Sequence, residues 1–115
     1  MAKGKRKSTK VVHSTSYYKL SEVAQRINSG QWLIRSNAIR DAYQEFGWGI
    51  SDIINAYKML KPTHFYKTDG SKAKPGSVID IYKARLNGED VYTHFYIDDS
   101  FGKLIINSFK RDQGI

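Results

Sequence analysis

The chain predicts an α+β domain, with N-terminal helices packed on one face of a three-stranded antiparallel sheet. Three observations carry this. Apolar residues in the first half recur at helical spacing, those of the second half alternate as in strands, and a loop rich in Gly, Ser and Lys separates the halves. Helices followed in sequence by strands pack as layers, the helices covering one face of the sheet.

Leu20, Val23, Ala24 and Ile27 fall at i, i+3, i+4 and i+7. Ile39, Ala42, Tyr43 and Phe46 repeat that spacing, as do Ile53, Ala56, Tyr57 and Leu60, so each set lines one side of a helix. Ser36 and Ser51 are the expected N-caps. Gly30 and Gly47 stand where a left-handed residue ends a helix, and Pro62 ends the third after Lys61. Thr63 to Lys67 is expected to add one short turn, and Asp69 to Gly76 a mobile loop. Three strands follow, Val78 to Leu86, Asp90 to Ile97 and Lys103 to Phe109. Asn87-Gly88 joins the first two as a hairpin turn, since both residues tolerate positive φ, and Asp98 to Gly102 turns the chain again. In the middle strand Val91, Thr93, Phe95 and Ile97 form the core face, leaving Tyr92, His94 and Tyr96 on the open one. Lys83 and Arg85 share a face of the neighbouring strand and add charge near it.

The 115 residues fit one domain. Residues 1–16 are expected to form a flexible basic tail, and residues 17–115 the folded domain. The net charge is +8 and the sequence pI about 9.7. Lys3, Lys5, Arg6, Lys7 and Lys10 carry +5 of that excess, while the rest of the chain holds 14 basic and 11 acidic residues. Such a balance favours a polyanionic partner, nucleic acid or an acidic protein. There is no Cys, which removes disulfides and thiolate metal sites. No apolar run approaches the roughly 18 residues of a membrane span, and no signal core follows the basic start. A soluble, cytoplasmic protein is expected.

Several strings resemble one family in order and spacing from about residue 17 to residue 111. Tyr18-Lys19-Leu20-Ser21-Glu22-Val23 with Ile27-Asn28-Ser29-Gly30-Gln31 resembles the first helix and turn of MqsR-type toxins. Arg35-Ser36-Asn37-Ala38 resembles the start of their second helix, and Phe65-Tyr66-Lys67 their Phe-Tyr-Lys motif. Asp80-Ile81-Tyr82-Lys83, Arg85-Leu86 and Val91-Tyr92 match the first hairpin, and Leu104-Ile105-Ile106 with Ser108-Phe109-Lys110 the last strand. The resemblance implies a RelE-like ribonuclease fold, a toxin that cuts mRNA, and a cognate antitoxin that neutralises it. It also implies catalytic roles for Lys67, Tyr92 and Lys110. The chain departs from the family pattern at Ile79, where glutamine is frequent, and at His94, where lysine is frequent. The lost amide contact means that a cleavage-sequence preference is not carried over.

RNA supplies its own nucleophile, the 2′-hydroxyl, so alignment and charge stabilisation can carry much of the rate without a metal or cofactor. His13, His64 and His94 are too dispersed in sequence to suggest a metal site. Lys67 and Lys110 are expected to hold phosphate, Tyr92 to orient the hydroxyl or stack on a base, and His94 to exchange protons near neutral pH. Arg85, Lys83 and His64 are candidate RNA contacts. A non-catalytic RNA-binding or regulatory protein of the same fold is the alternative.

Overall fold

The computed structural model describes residues 15–72 and 74–114. Of the tail expected over residues 1–16, residues 1–14 lie outside the described residues. The elements in chain order are α1 (Leu20–Ser29), β1 (Trp32–Ile34), α2 (Ser36–Phe46), α3 (Ile50–Tyr57), a 3-10 turn (Pro62–His64), β2 (Phe65–Gly70), β3 (Val78–Leu86), β4 (Glu89–Asp98) and β5 (Lys103–Arg111).

The helical spacing identifies all three α-helices of the described residues, and their ends follow local chemistry. Gly30 and Gly47 close α1 and α2 with φ of 75° and 72°, a conformation that costs any residue with a Cβ. The expected caps differ. Ser36 is the first helical residue of α2, and Arg35 precedes it with no side-chain cap bond. α3 starts one residue before Ser51, and the Asp52 carboxylate accepts the Gly49 N–H at 2.9 Å. α3 also stops at Tyr57, well before Pro62, because the chain tightens there: Met59 N–H reaches Ala56 O at 3.0 Å and Leu60 N–H reaches Tyr57 O at 3.4 Å.

The expected antiparallel meander is present as β3, β4 and β5, but the sheet has five strands and is mixed, in the order β1-β5-β4-β3-β2. β1 runs parallel to β5, pairing Trp32 to Ile34 with Leu104 to Ile106. β2 runs antiparallel to β3. Both added strands are edges with little apolar alternation of their own. β1 has three residues, too few to show a period of two, and β2 is exposed at every position after Phe65. Backbone pairing with a distant strand, which leaves no mark on side-chain pattern, makes them strands. The loop expected from Asp69 therefore starts after Gly70.

The helices cover one face of the sheet. Val23, Ala38, Ala42, Ile53, Ala56, Tyr57, Tyr82, Val91, Phe95, Leu104, Ile106 and Phe109 are buried together between them. Phe95 is central, with the Tyr57 and Tyr82 rings each 5.7 Å from it. The polar groups of this core are satisfied as a chain. Tyr57 OH lies 2.6 Å from Thr93 Oγ1, which donates to Ser108 O at 2.6 Å. Burial pushes the Tyr57 hydroxyl pKa up, against the lowering effect of the Thr93 bond, so it stays protonated. Asp80, fully buried, anchors the first described residues. Its carboxylate accepts Tyr17 N–H at 3.1 Å, Tyr18 N–H at 2.7 Å and the Thr68 hydroxyl at 2.5 Å.

Candidate functional site

The face of the sheet opposite the helices is built from pairing. Directly opposed residues of neighbouring strands share a face, with Cβ atoms about 4.5–5.5 Å apart. Lys67 opposes Ile81, which opposes His94, which opposes Ser108. One row along, Lys83 opposes Tyr92, which opposes Lys110. The register thus brings Lys67, Lys83, Tyr92, His94 and Lys110, from four strands, onto one surface.

Two bulges make this possible. In β2 the register shifts between Phe65 and Lys67. In an unbroken strand these two would point the same way. The extra residue, Tyr66, sends Phe65 to the helix side, where its ring lies 5.7 Å from Tyr82, and Lys67 to the open side. In β5 the register shifts at Asn107: His94 opposes Ser108 while Phe95 opposes Ile106. Ile106 and Phe109, three apart, can therefore both be buried in the core, and Ser108 and Lys110 both reach the open face.

A cleft of about 480 Å³ opens on this surface, lined among others by Arg35, Asn37, Lys72, Tyr92, His94, Asn107 and Ser108. Lys110 Nζ lies 5.5 Å from the centre of the Tyr92 ring. Lys83 Nζ lies 4.1 Å, and Lys67 Nζ 5.7 Å, from the centre of the Tyr66 ring. The carboxylates that face these cations hold them loosely. Lys67 is 3.6 Å from Asp69 and Lys83 is 3.8 Å from Asp112, long, partly solvated pairs that a bound phosphate can displace.

The titratable groups are poised differently from free side chains. Burial raises the Tyr92 pKa, with Lys67 pulling the other way, so Tyr92 is a hydrogen-bond donor at neutral pH. Burial, reinforced by the charge of Lys110, lowers the His94 pKa to about 4. His94 is therefore neutral at pH 7, whereas the sequence leads to the expectation that it titrates near neutral pH; burial and the Lys110 charge move it away, and its Nδ1 is buried without a hydrogen-bond partner among the described residues. The cleft thus offers the Lys72 ammonium, the Arg35 guanidinium, a protonated phenol and a neutral imidazole with spare hydrogen-bonding capacity, beside the Asp69 carboxylate, while Lys67, Lys83 and Lys110 lie on the same sheet face outside its lining. Among the described residues, no three of His, Asp or Glu come together as a group able to hold a metal ion.

Tyr96 lies on the open face as expected, packed with Ile79, Ile81 and Ile105 in a small apolar cluster. Two expected RNA contacts sit elsewhere. Arg85 projects beyond Lys83 toward the hairpin turn and is ion-paired with Asp90 at 2.9 Å. His64 lies in a separate groove of about 370 Å³ that Arg85 also lines. Its Nδ1 accepts the Lys61 N–H at 3.0 Å, closing the 3-10 turn, and burial and then the Lys61 charge lower its pKa. Conversely, the cleft contains Arg35 and Asn107, which the sequence did not single out as site residues. Arg35 was legible only as the start of a helix, and Asn107 owes its place to a bulge with no local signature.

Among the described residues no helix is long and apolar enough to cross a membrane. A search of curated proteins gave no match to this chain. Residues 15–111 match the model of a family described as "Motility quorum-sensing regulator, toxin of MqsA". The match takes in both bulged strands, the cleft and every helix of the described residues, and the chain therefore belongs to the MqsR toxin family.

Proposed function

We propose that this toxin is a metal-independent endoribonuclease that cuts mRNA by attack of a 2′-hydroxyl on the adjacent phosphorus. The observation that carries this reading is the convergence of Lys67, Tyr92, His94 and Lys110 on one sheet face through the pairing of β2 to β5. Lys67 and Lys110 hold the non-bridging oxygens as point charges and offset the charge that grows on them. Tyr92, kept protonated, donates a hydrogen bond to the phosphoryl group. His94, neutral at pH 7, takes the proton from the 2′-hydroxyl. The O2′–P bond forms as the P–O5′ bond breaks, leaving a 2′,3′-cyclic phosphate and a 5′-hydroxyl; O5′ takes its proton from solvent water, and the hydroxide left is neutralised by the proton that His94 then releases. The family implies a cognate antitoxin of the MqsA kind, and the mRNA substrate places the activity in the cytoplasm.

The test is incubation of the purified protein with a long unstructured RNA in EDTA, beside Lys67→Ala, with the product ends mapped. Discrete cuts with cyclic or 3′-phosphate ends, reduced about 10²- to 10³-fold in the variant, are expected. Expression without antitoxin should stop growth, and Lys67→Ala should relieve the arrest. RNA that is bound but left intact, with or without translating ribosomes, would instead make this a non-catalytic RNA-binding protein.

A further inference from the structure

We infer that Arg35 is a phosphate clamp of the cleft, engaging an RNA phosphate next to the scissile one. The inference rests on the nuclease reading only for the position of the scissile phosphate. Arg35 sits where β1 passes into α2, and its backbone N–H bonds Ile106 O at 3.0 Å, just before the bulge of β5. Its guanidinium is held at two points. Nε donates to Asn107 Oδ1 at 2.7 Å and Nη2 donates to Tyr96 OH at 3.1 Å. Asn107 is fixed in turn, its carbonyl accepting Asn37 Nδ2 at 2.9 Å. A guanidinium carries five N–H donors, so three remain without a protein partner among the described residues. No carboxylate pairs with it there either, although Lys67, Lys83, Arg85 and Arg111 each have one.

An arginine needed only to tie α2 to β5 would be expected to direct its donors at protein acceptors. Here the two bonds orient the planar fork, and Arg35 lines a solvent-open cleft whose carboxylate, Asp69, is paired with Lys67 instead. Such a pre-oriented fork loses little entropy on meeting a phosphate, which accepts it through two oxygens. Position distinguishes this phosphate from the scissile one. Arg35 is held at Tyr96, two residues beyond His94 and four beyond Tyr92 along β4, roughly 7 Å and 13 Å at the rise of a strand. Lys110 opposes Tyr92 and Lys67 lies in the row of His94. A chain lying across the face meets the lysines at one phosphate and Arg35 at a neighbour.

The test measures binding of a cleavage-resistant 2′-O-methyl RNA, unstructured and single-stranded, to wild type, Arg35→Gln and Arg35→Lys across a salt series. One phosphate contact contributes about 0.7 to the slope of log K against log salt for single strands. Arg35→Gln should flatten the slope by about 0.7 and weaken binding about tenfold at low salt. Arg35→Lys should keep the slope, since the charge remains, while binding more weakly through loss of the fork. An unchanged slope and affinity in Arg35→Gln overturns the inference and leaves the nuclease reading intact. Weaker binding at an unchanged slope, with altered cut positions on the unmodified RNA, also overturns it and makes Arg35 a reader of base edges. Should Arg35→Gln fail to fold, phenylglyoxal labelling of wild type decides: protection of Arg35 by the RNA supports the clamp, and equal labelling with and without RNA refutes it. Wild type that binds this RNA with the Arg35 dependence yet never cuts the unmodified RNA of the same sequence would sink the nuclease reading alone, whereas wild type that binds no RNA ends both.

Discussion

His94 couples the site to the stability of the fold, and the coupling has a definite sign. Its pKa falls from 6.5 to about 4 on folding, through burial and then the charge of Lys110. The unfolded chain therefore binds the proton more readily, and stability rises with pH between the two values. The contribution is fully present above about pH 6.5 and is lost as pH falls toward 4. Between pH 7 and pH 5 those two values give a loss of about 2 kcal/mol. His94 is only partly buried, so solvent screening brings a realistic figure to about 1 kcal/mol. In a domain of this size that is about 4–8 °C in Tm. Urea unfolding of wild type and His94→Gln at both pH values isolates the effect. Every other titrating group, His64 included, is common to the two proteins and cancels. The variant should lose about 1 kcal/mol less than wild type between pH 7 and pH 5. Equal losses would show that His94 titrates alike folded and unfolded, and would remove the basis for treating it as a neutral imidazole in a dry part of the cleft.

Two further perturbations test the frame that holds the site. Thr93→Val strips the partner from the Tyr57 hydroxyl and from Ser108 O, and should cost about 2–3 kcal/mol in urea unfolding at unchanged m-value. Adding Tyr57→Phe should recover part of that, because no hydroxyl is then left unpaired; a purely additive double mutant would contradict the network. Asp80→Asn weakens the charge-assisted bonds to the N–H groups of Tyr17 and Tyr18. It should cost about 1.5–3 kcal/mol and speed amide exchange at those two residues before the rest of the sheet, an order that uniform exchange would refute.

Legibility in the sequence followed the range of the forces involved. The helices were readable because their apolar spacing and their closing glycines act within a few residues. The faces of β4 were readable because side chains alternate strictly there: Val91, Thr93, Phe95 and Ile97 all point to the helices and are buried. Capping was less legible. At α3 a carboxylate three residues on competes with the serine that spacing suggests.

The sequence alone determined the α+β class, the helix–strand order and the set of groups available to a polyanion. The tertiary structure decided how those groups meet. Parallel pairing of β1 with β5 closes one edge of the sheet and carries Arg35 to the cleft. The bulge at Tyr66 turns Lys67 away from Phe65, and the bulge at Asn107 keeps Ser108 and Lys110 on the face of Tyr92 and His94. The same packing excluded His64 and buried Tyr96. A single inserted residue reverses the facing of everything beyond it, and nothing in the neighbouring side chains announces the insertion. It becomes visible only when the partner strand sets the register.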